Sequence, residues 1–322
     1  MTTEITIMNR QAIALAADSA VTIGRERVWK TANKLFSLAP HNDIAIMAYG
    51  AGDFAGIPWE TIIKTFRAKV GPKKFDYVSE CASELVTYLS QFEIIDENEE
   101  KASIYVVFLK VLERIYNNLE ECKTAAEFKT KIGIRIKAEF DIASKLPSID
   151  IQIEKSVFIE RYGAHIKSLA ENTFERNHIT NKISNDLIDL LFAVFHSQTR
   201  SQYYTGVAVA GFGVHENFPS QVIFLIDGKH KSVLRSWMAE NSEDLNKIGA
   251  TNACITPLGQ SDIALLFLEG IASRHLRWVR RSLKNILDDK SDDLISNYVA
   301  DEDQKVVEIA LQKNLIVKQS EK

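Results

Sequence analysis

The sequence predicts an α+β protein in which antiparallel sheets are covered by helices. Three observations carry that expectation. Residues 3–49 are patterned as strands separated by short polar breaks. A long central stretch, about 94–200, is rich in Lys, Glu, Leu and Ile at helical spacing. After Tyr204 the texture returns to strands and then to helical sequence. Strands grouped before and after blocks of helix, rather than alternating with them one by one, mark the α+β class.

Taken in order, residues 3–9 (TEITIMN) alternate Ile5 and Ile7 with polar neighbours, the period of a strand with one apolar face. Residues 12–18 (AIALAAD) are nearly all apolar, as in a strand buried on both faces. Asn9-Arg10-Gln11 between them predicts a hairpin turn. Residues 35–38 and 44–49 read as two more strands about the turn His41-Asn42-Asp43. Beyond Gly50-Ala51-Gly52-Asp53 the period changes. Phe54, Ile57, Trp59, Ile62, Ile63 and Phe66 predict a helix over 54–68, and a second follows over 75–92. Strands are expected again at 206–213, at 220–228 with Asp227-Gly228 as a turn, and at 231–237. Ser261-Asp262 suit the N-cap of a strong helix over 261–285, and a further helical pattern runs from 290 to about 313. The expected organisation is one domain over 1–322 with a helical insertion at about 94–200.

The bulk properties narrow the class of partner. The chain of 322 residues is 46% hydrophobic and 25% charged, an ordinary globular composition able to bury a core without metals or disulfides. A net charge of −4 argues against nucleic acid and anionic membranes as partners. The basic run from Arg274 to Arg281 carries Leu276 and Val279 at helical spacing, so it reads as a solvated helix face. No apolar run approaches the ~20 residues of a membrane span. Cys81, Cys122 and Cys254 are too few and too scattered for a disulfide framework or a zinc motif, and the seven histidines show no metal-ligand spacing. The start lacks the basic and long apolar regions of an export signal. The expectation is a cytoplasmic protein without metal or organic cofactor.

The chemistry is expected at the start of the chain. Met1 precedes the small residue Thr2, and removal of methionine before a small residue would free the Thr2 α-amine. With a reference pKa of about 7.7–8.0, that amine is partly neutral near pH 7 and can take the proton of its own hydroxyl. A lysine nearby would hold the amine's pKa down by like-charge repulsion, and a carboxylate would orient the lysine. Asp18, which ends the second strand, and Lys34, just before the third, are the candidates. Asp18 lies sixteen positions after Thr2, and Lys34 sixteen after Asp18.

Those residues resemble the N-terminus of a proteasome β-subunit, in the N-terminal-nucleophile hydrolase family. The matching segments are Thr2-Thr3, Ala16-Ala17-Asp18-Ser19 and Lys34-Leu35-Phe36, with the family's spacing of nucleophile, aspartate and lysine. The likeness covers 2–70 and returns over 205–272, in AGFG…IDG and PLGQSDIALLFLEGI. It implies a four-layer α/β/β/α sandwich of two antiparallel sheets carrying the insertion. It implies a threonine-type peptidase or amide hydrolase acting on a peptide or amide substrate. It also implies Gly50 as the oxyanion donor, Ser261 as an auxiliary, a homo-oligomer, and an unidentified unfoldase as a possible partner. The apolar residues of 54–68 exceed one buried stripe and suggest an association patch.

Plainer readings stand beside these. Asp18 alone could cap a turn, Lys34 could be solvated, Gly50 and Gly52 could simply end a strand, and Ser261 could be only an N-cap. Two other functional classes stay open. The family's closing Asp…Ser-Gly-Gly run is not visible, which leaves room for an inactive proteasome-like structural subunit. A small-molecule amidase is the other.

Overall fold

In the computed structural model the described residues are 3–19, 21–23, 27–29, 33–93, 97–119, 122, 124–174, 179–231, 233–259, 261–270 and 272–298. The chain divides into two compact units, Met1–Gln260 and Ser261–Lys322, where the sequence reading has one domain with an insertion.

The first unit is mixed α+β, and its described residues form two larger antiparallel sheets and two two-stranded pairs, in keeping with the expected α+β class. It begins with strands β1 (Thr3–Asn9), β2 (Ile13–Ala17), β3 (Val21–Ile23), β4 (Arg27–Trp29), β5 (Leu35–Ala39) and β6 (Asn42–Gly50). A small hairpin of β7 (Asp53–Phe54) and β8 (Ile57–Pro58) follows, then helices α1 (Trp59–Val70) and α2 (Val78–Gln91). The insertion supplies α3 (Glu97–Asn117), α4 (Ala125–Lys145), α5 (Lys155–Phe174) and α6 (Asn181–Phe195). Strands β9 (Thr205–Gly211), β10 (Ser220–His230), β11 (Val233–Met238), β12 (Glu243–Asp244) and β13 (Ala253–Gly259) complete the unit. One sheet has the order β13-β1-β2. The larger has the order β11-β10-β9-β6-β5, with β12 on β10, and the two-stranded pairs are β3–β4 and β7–β8. Asn9 turns the first hairpin, its Oδ1 accepting from the N–H groups of Gln11 and Ala12.

The large sheet has two apolar faces. Ile44, Ile46, Ala48, Val207 and Val209 pack on one side with Ile62, Phe66 and Leu85 of α1 and α2. Met47, Tyr49, Ala208, Leu225 and Trp237 face the other way and share a cluster with Leu258 of β13, Leu15 and Ala17 of β2, and the insertion helices. The insertion is therefore continuous with the core of the unit. Its own interior is aromatic: Phe108, Phe158, Tyr162 and Phe195 pack edge-on or tilted at centroid distances of 5.2–6.2 Å.

Several expectations change. On β1 the buried face is that of Glu4, Thr6 and Met8, and Ile7 is exposed. On β2 the alternate residues Ala14 and Ala16 are exposed, so this strand is covered on one face rather than two. The helix expected over 54–68 begins at Trp59. Pro58 holds the N-cap position, as suits a residue with fixed φ and no N–H to donate, and 53–58 form the small hairpin. Phe54, Trp59, Ile62, Ile63 and Phe66 are buried within the chain and Ile57 is half-buried against the same core, so most of the expected association patch is covered. Asp227-Gly228 is not a turn. β10 runs through it with a register shift between Ile226 and Lys229, and the chain turns after His230.

The second unit contains α7 (Ser261–Glu269) and α8 (Ser273–Tyr298), so the helix expected over 261–285 breaks at Gly270. The pattern expected beyond residue 298 lies outside the described residues. No helix among the described residues is long and apolar enough to cross a membrane.

Candidate active site

The site forms where the first hairpin meets the start of β5. Asp18 follows β2, and its N–H donates to the carbonyl oxygen of Thr3 at 3.1 Å, extending the β1–β2 ladder to the first described residue. Lys34 directly precedes β5. Its carbonyl oxygen accepts from the N–H of Ala48 on β6 at 3.0 Å, which fixes this backbone against the large sheet. The Lys34 ammonium reaches across and donates to Asp18 Oδ1 in a short ion pair. Two of the residues singled out by spacing are thus in direct contact. Lys34 is buried, and the Asp18 side chain is about one-third exposed, 36%.

The pair has a third member that spacing did not reveal. Glu4 of β1 is fully buried, and its Oε1 lies 3.8 Å from the same ammonium. Burial raises the Glu4 carboxyl to about 7; the Lys34 charge pulls it down and the Asp18 charge pushes it up. Glu4 escaped the sequence reading because the apolar alternation of Ile5 and Ile7 assigned it to the outer face. The one available signal was Met8, which shares the parity of Glu4 and Thr6.

Gly50 ends β6, two residues beyond the Ala48 N–H that binds Lys34, and pairs with Thr205 of β9. Its φ of +92° is one that L side chains rarely adopt, and a Cβ there would sit 2.3 Å from the backbone oxygen of Tyr204. This geometry alone requires glycine. The neighbouring Ala51 N–H donates to that same Tyr204 oxygen at 3.2 Å. Thr205 is held from the other side by the Trp59 indole, Nε1 to Oγ1 at 3.1 Å.

A cavity of about 450 Å³ opens beside the start of β1. Leu258 and Gly259 line it, and they pair with Glu4 and Thr3 respectively. Tyr49, Tyr204 and Trp237 give it aromatic walls, and Arg200 from the end of the insertion lies over the Tyr204 ring at 5.4 Å. The Tyr49 ring crosses the backbone of Gly206 so closely that a Cβ there would fall 2.0 Å from Cζ. Burial pushes the Tyr49 phenol up, with the Tyr204 and Glu4 charges adding to it, so this wall stays neutral.

Thr2 lies outside the described residues. Ser261 opens α7 in the second unit, and its side chain is likewise outside them. Among the described residues no group of three His, Cys, Asp or Glu side chains could hold a metal ion. Cys81 is buried in the α1–α2 core, where burial raises its thiol to about 12, and Cys254 sits half-buried on β13. Neither approaches the thiolate character of a nucleophile. No protein-family model matches the chain, and no curated protein matches it.

Proposed function

We propose that the chain is an N-terminal threonine amide hydrolase with the four-layer fold of the N-terminal-nucleophile family, to which its first seventy residues bear a resemblance. The observation that carries this reading is the Asp18–Lys34 ion pair, joined through the Asp18 N–H to Thr3, the chain neighbour of Thr2. After Met1 is removed, Thr2 Oγ attacks the amide carbonyl carbon while the α-amine takes the hydroxyl proton. The C–N bond breaks, that proton passes to the leaving amine, and an ester to Thr2 remains. Water, activated by the same amine, hydrolyses the ester and restores the hydroxyl. Lys34 keeps the amine's proton affinity low, and Asp18 orients Lys34. Gly50, at the end of β6, is the proposed oxyanion donor, and Ser261 is an auxiliary. The reaction needs no metal or organic cofactor.

A small-molecule substrate is favoured over a polypeptide by two observations. The cavity is closed on one side by Leu146, Pro147, Gln198 and Arg200 of the insertion, and its size suits one modest acyl group. Most of the apolar surface over 54–68 expected to drive assembly into a proteolytic ring is buried within the chain. An inactive structural subunit is the competing reading.

A covalent probe for N-terminal threonine, such as a β-lactone, tests the proposal by intact-mass and peptide mass spectrometry. The expected adduct is on Thr2 of a Met1-free chain and absent from Thr2→Ala. A chain whose Met1 is removed but whose Thr2 stays unlabelled would leave the inactive reading. Turnover of short acylated amides against a peptide library separates amidase from peptidase.

A further inference from the structure

Buried carboxylates are ordinarily tied by hydrogen bonds, because an ionised carboxyl without them is costly to bury. Glu4 is an exception. It is fully buried, and among the described residues neither Oε1 nor Oε2 has a partner within ordinary hydrogen-bond distance, the Lys34 ammonium standing just beyond it at 3.8 Å. Two residues along the same face, the Thr6 hydroxyl is also buried, without a partner among the described residues. A purely structural position on this face would be filled better by an apolar side chain, as Met8 fills the next one. The only charge near the Glu4 carboxyl that would favour its ionisation among the described residues is the Lys34 ammonium, at 3.8 Å, already in contact with Asp18. Two carboxyl groups thus flank one ammonium, one at the protein surface and one beneath it.

We propose that Glu4 is a positioning residue acting through Lys34, and that its gain or loss of a proton decides how the ammonium is divided between Asp18 and the sheet interior. With Glu4 protonated, Lys34 is left to Asp18 and held beside the start of β1. With Glu4 ionised, the ammonium is drawn inward and its contact with Asp18 loosens. Among the described residues, the charged and titratable groups facing Glu4 are Lys34 ahead of β5, Asp18 after β2 and Tyr49 of β6. Tyr49 stays protonated, so among these described groups the exchange involves the two carboxyls and the ammonium. Burial lifts the Glu4 carboxyl to about 7, which puts the exchange near neutral pH. For catalysis this inference rests on the threonine-hydrolase reading. The proton exchange itself does not.

The test has two arms. In the first, the protein carries glutamate labelled with 13C at the side-chain carboxyl, and its carboxyl resonances are followed by NMR from pH 4.5 to 9. One resonance, identified by its loss in Glu4→Gln, is expected to titrate near pH 7, well above the ordinary glutamates. In Lys34→Met its midpoint is expected to rise further, because the Lys34 charge lowers it. A Glu4 resonance that titrates with the exposed glutamates, or that ignores Lys34→Met, overturns the proposal. In the second arm the rate of β-lactone labelling at Thr2 is measured against pH. The wild type is expected to show an inflection of about threefold or more near the NMR midpoint, and Glu4→Gln is expected to lose that inflection while keeping the one from the amine. Superimposable profiles would overturn the positioning role. If no wild-type molecule is labelled but the resonance behaves as described, the Glu4–Lys34 exchange stands and the hydrolase reading fails.

Discussion

Arg235 and Asp227 form an ion pair in the interior of the first unit, Nη1 to Oδ2 at 3.0 Å, with both side chains almost wholly out of solvent. The guanidinium also donates to the carbonyl oxygens of Val194, Phe195, Ser197 and Thr199, which terminate α6 and lead the insertion back to the sheet. Asp227 accepts in turn from the N–H and hydroxyl of Ser201. One buried pair thus satisfies the open end of a helix and pins the insertion's exit to β10 and β11.

Arg235→Met is therefore expected to be severely destabilising, by about 3–5 kcal/mol, since it strands a buried carboxylate and several carbonyl groups. Asp227→Leu combined with Arg235→Met should cost less than the sum of the single changes, because the lone buried charge disappears. Urea unfolding followed by circular dichroism measures both. A wild-type midpoint for Arg235→Met would mean that the insertion is held by its apolar contacts alone.

This pair also marks a limit of what the sequence carries. Asp227-Gly228 has the composition of a hairpin turn, and only the strand pairing reveals a bulge whose aspartate faces an arginine on the next strand. Asp18 and Lys34 were legible because a short hairpin brings matched spacings together almost independently of the rest of the fold. Glu4 was not, because parity along one strand gives two possible faces and only the opposing sheet chooses between them. β13 is weakly written for a different reason. Pro257 interrupts its pattern, and it is tolerated because β13 lies at the edge of its sheet. The insertion was legible as helix from its period, but its continuity with the core depends on contacts distant in sequence.

Two buried groups give stability an unusual dependence on pH. Glu4 holds its proton up to about pH 7 in the native state, whereas an unfolded glutamate releases it near 4.5. The native chain then binds the extra proton, so stability falls as pH rises through that window. His230 behaves oppositely. Burial, helped by the Arg161 charge, lowers it from 6.5 to about 4, and its Nδ1 lies 2.7 Å from the Tyr162 hydroxyl. The unfolded chain binds the extra proton between those values, so this contribution is lost as pH falls. Each amounts to about 3 kcal/mol, and the two slopes oppose each other over the shared range. The wild type is expected to be nearly level from pH 4.5 to 6.5. Glu4→Gln should expose a rising slope, and His230→Gln a falling one. Parallel unfolding curves for all three proteins would remove both contributions.

The two close approaches near the cavity differ in what can yield. Gly206→Ala would drive a methyl into the Tyr49 ring, whose side chain can rotate away at the expense of the cavity wall. A loss of about 1–3 kcal/mol is expected. Gly50→Ala would meet the backbone oxygen of Tyr204 at an unfavourable φ, and neither strand can retreat without breaking the β6–β9 ladder. Its loss should be the larger of the two. Thermal unfolding by calorimetry ranks them, and the reverse order would show that the Tyr49 ring is the more rigidly held element.

Asp18 separates function from stability. Its carboxylate is partly hydrated, and although the Lys34 ammonium is buried, in Asp18→Asn that ammonium keeps the Glu4 carboxyl beside it at 3.8 Å, so the cost to the fold is expected to be modest. Asp18→Asn keeps the shape of the side chain, and its backbone N–H still donates to Thr3. The melting temperature is expected to stay within a few degrees of wild type. Under the threonine-hydrolase reading, however, the Lys34 ammonium loses the group that holds it beside the start of β1, and Glu4 is the carboxyl that remains beside it among the described residues. The rate of β-lactone labelling at Thr2 should then fall by roughly 100-fold, the scale on which a positioned proton-transfer group acts. Asp18→Glu, which keeps the charge but places it one methylene further out, should recover part of that loss. A labelling rate unchanged in Asp18→Asn, with the fold intact by calorimetry, would remove Asp18 from the mechanism and leave the ion pair a structural contact.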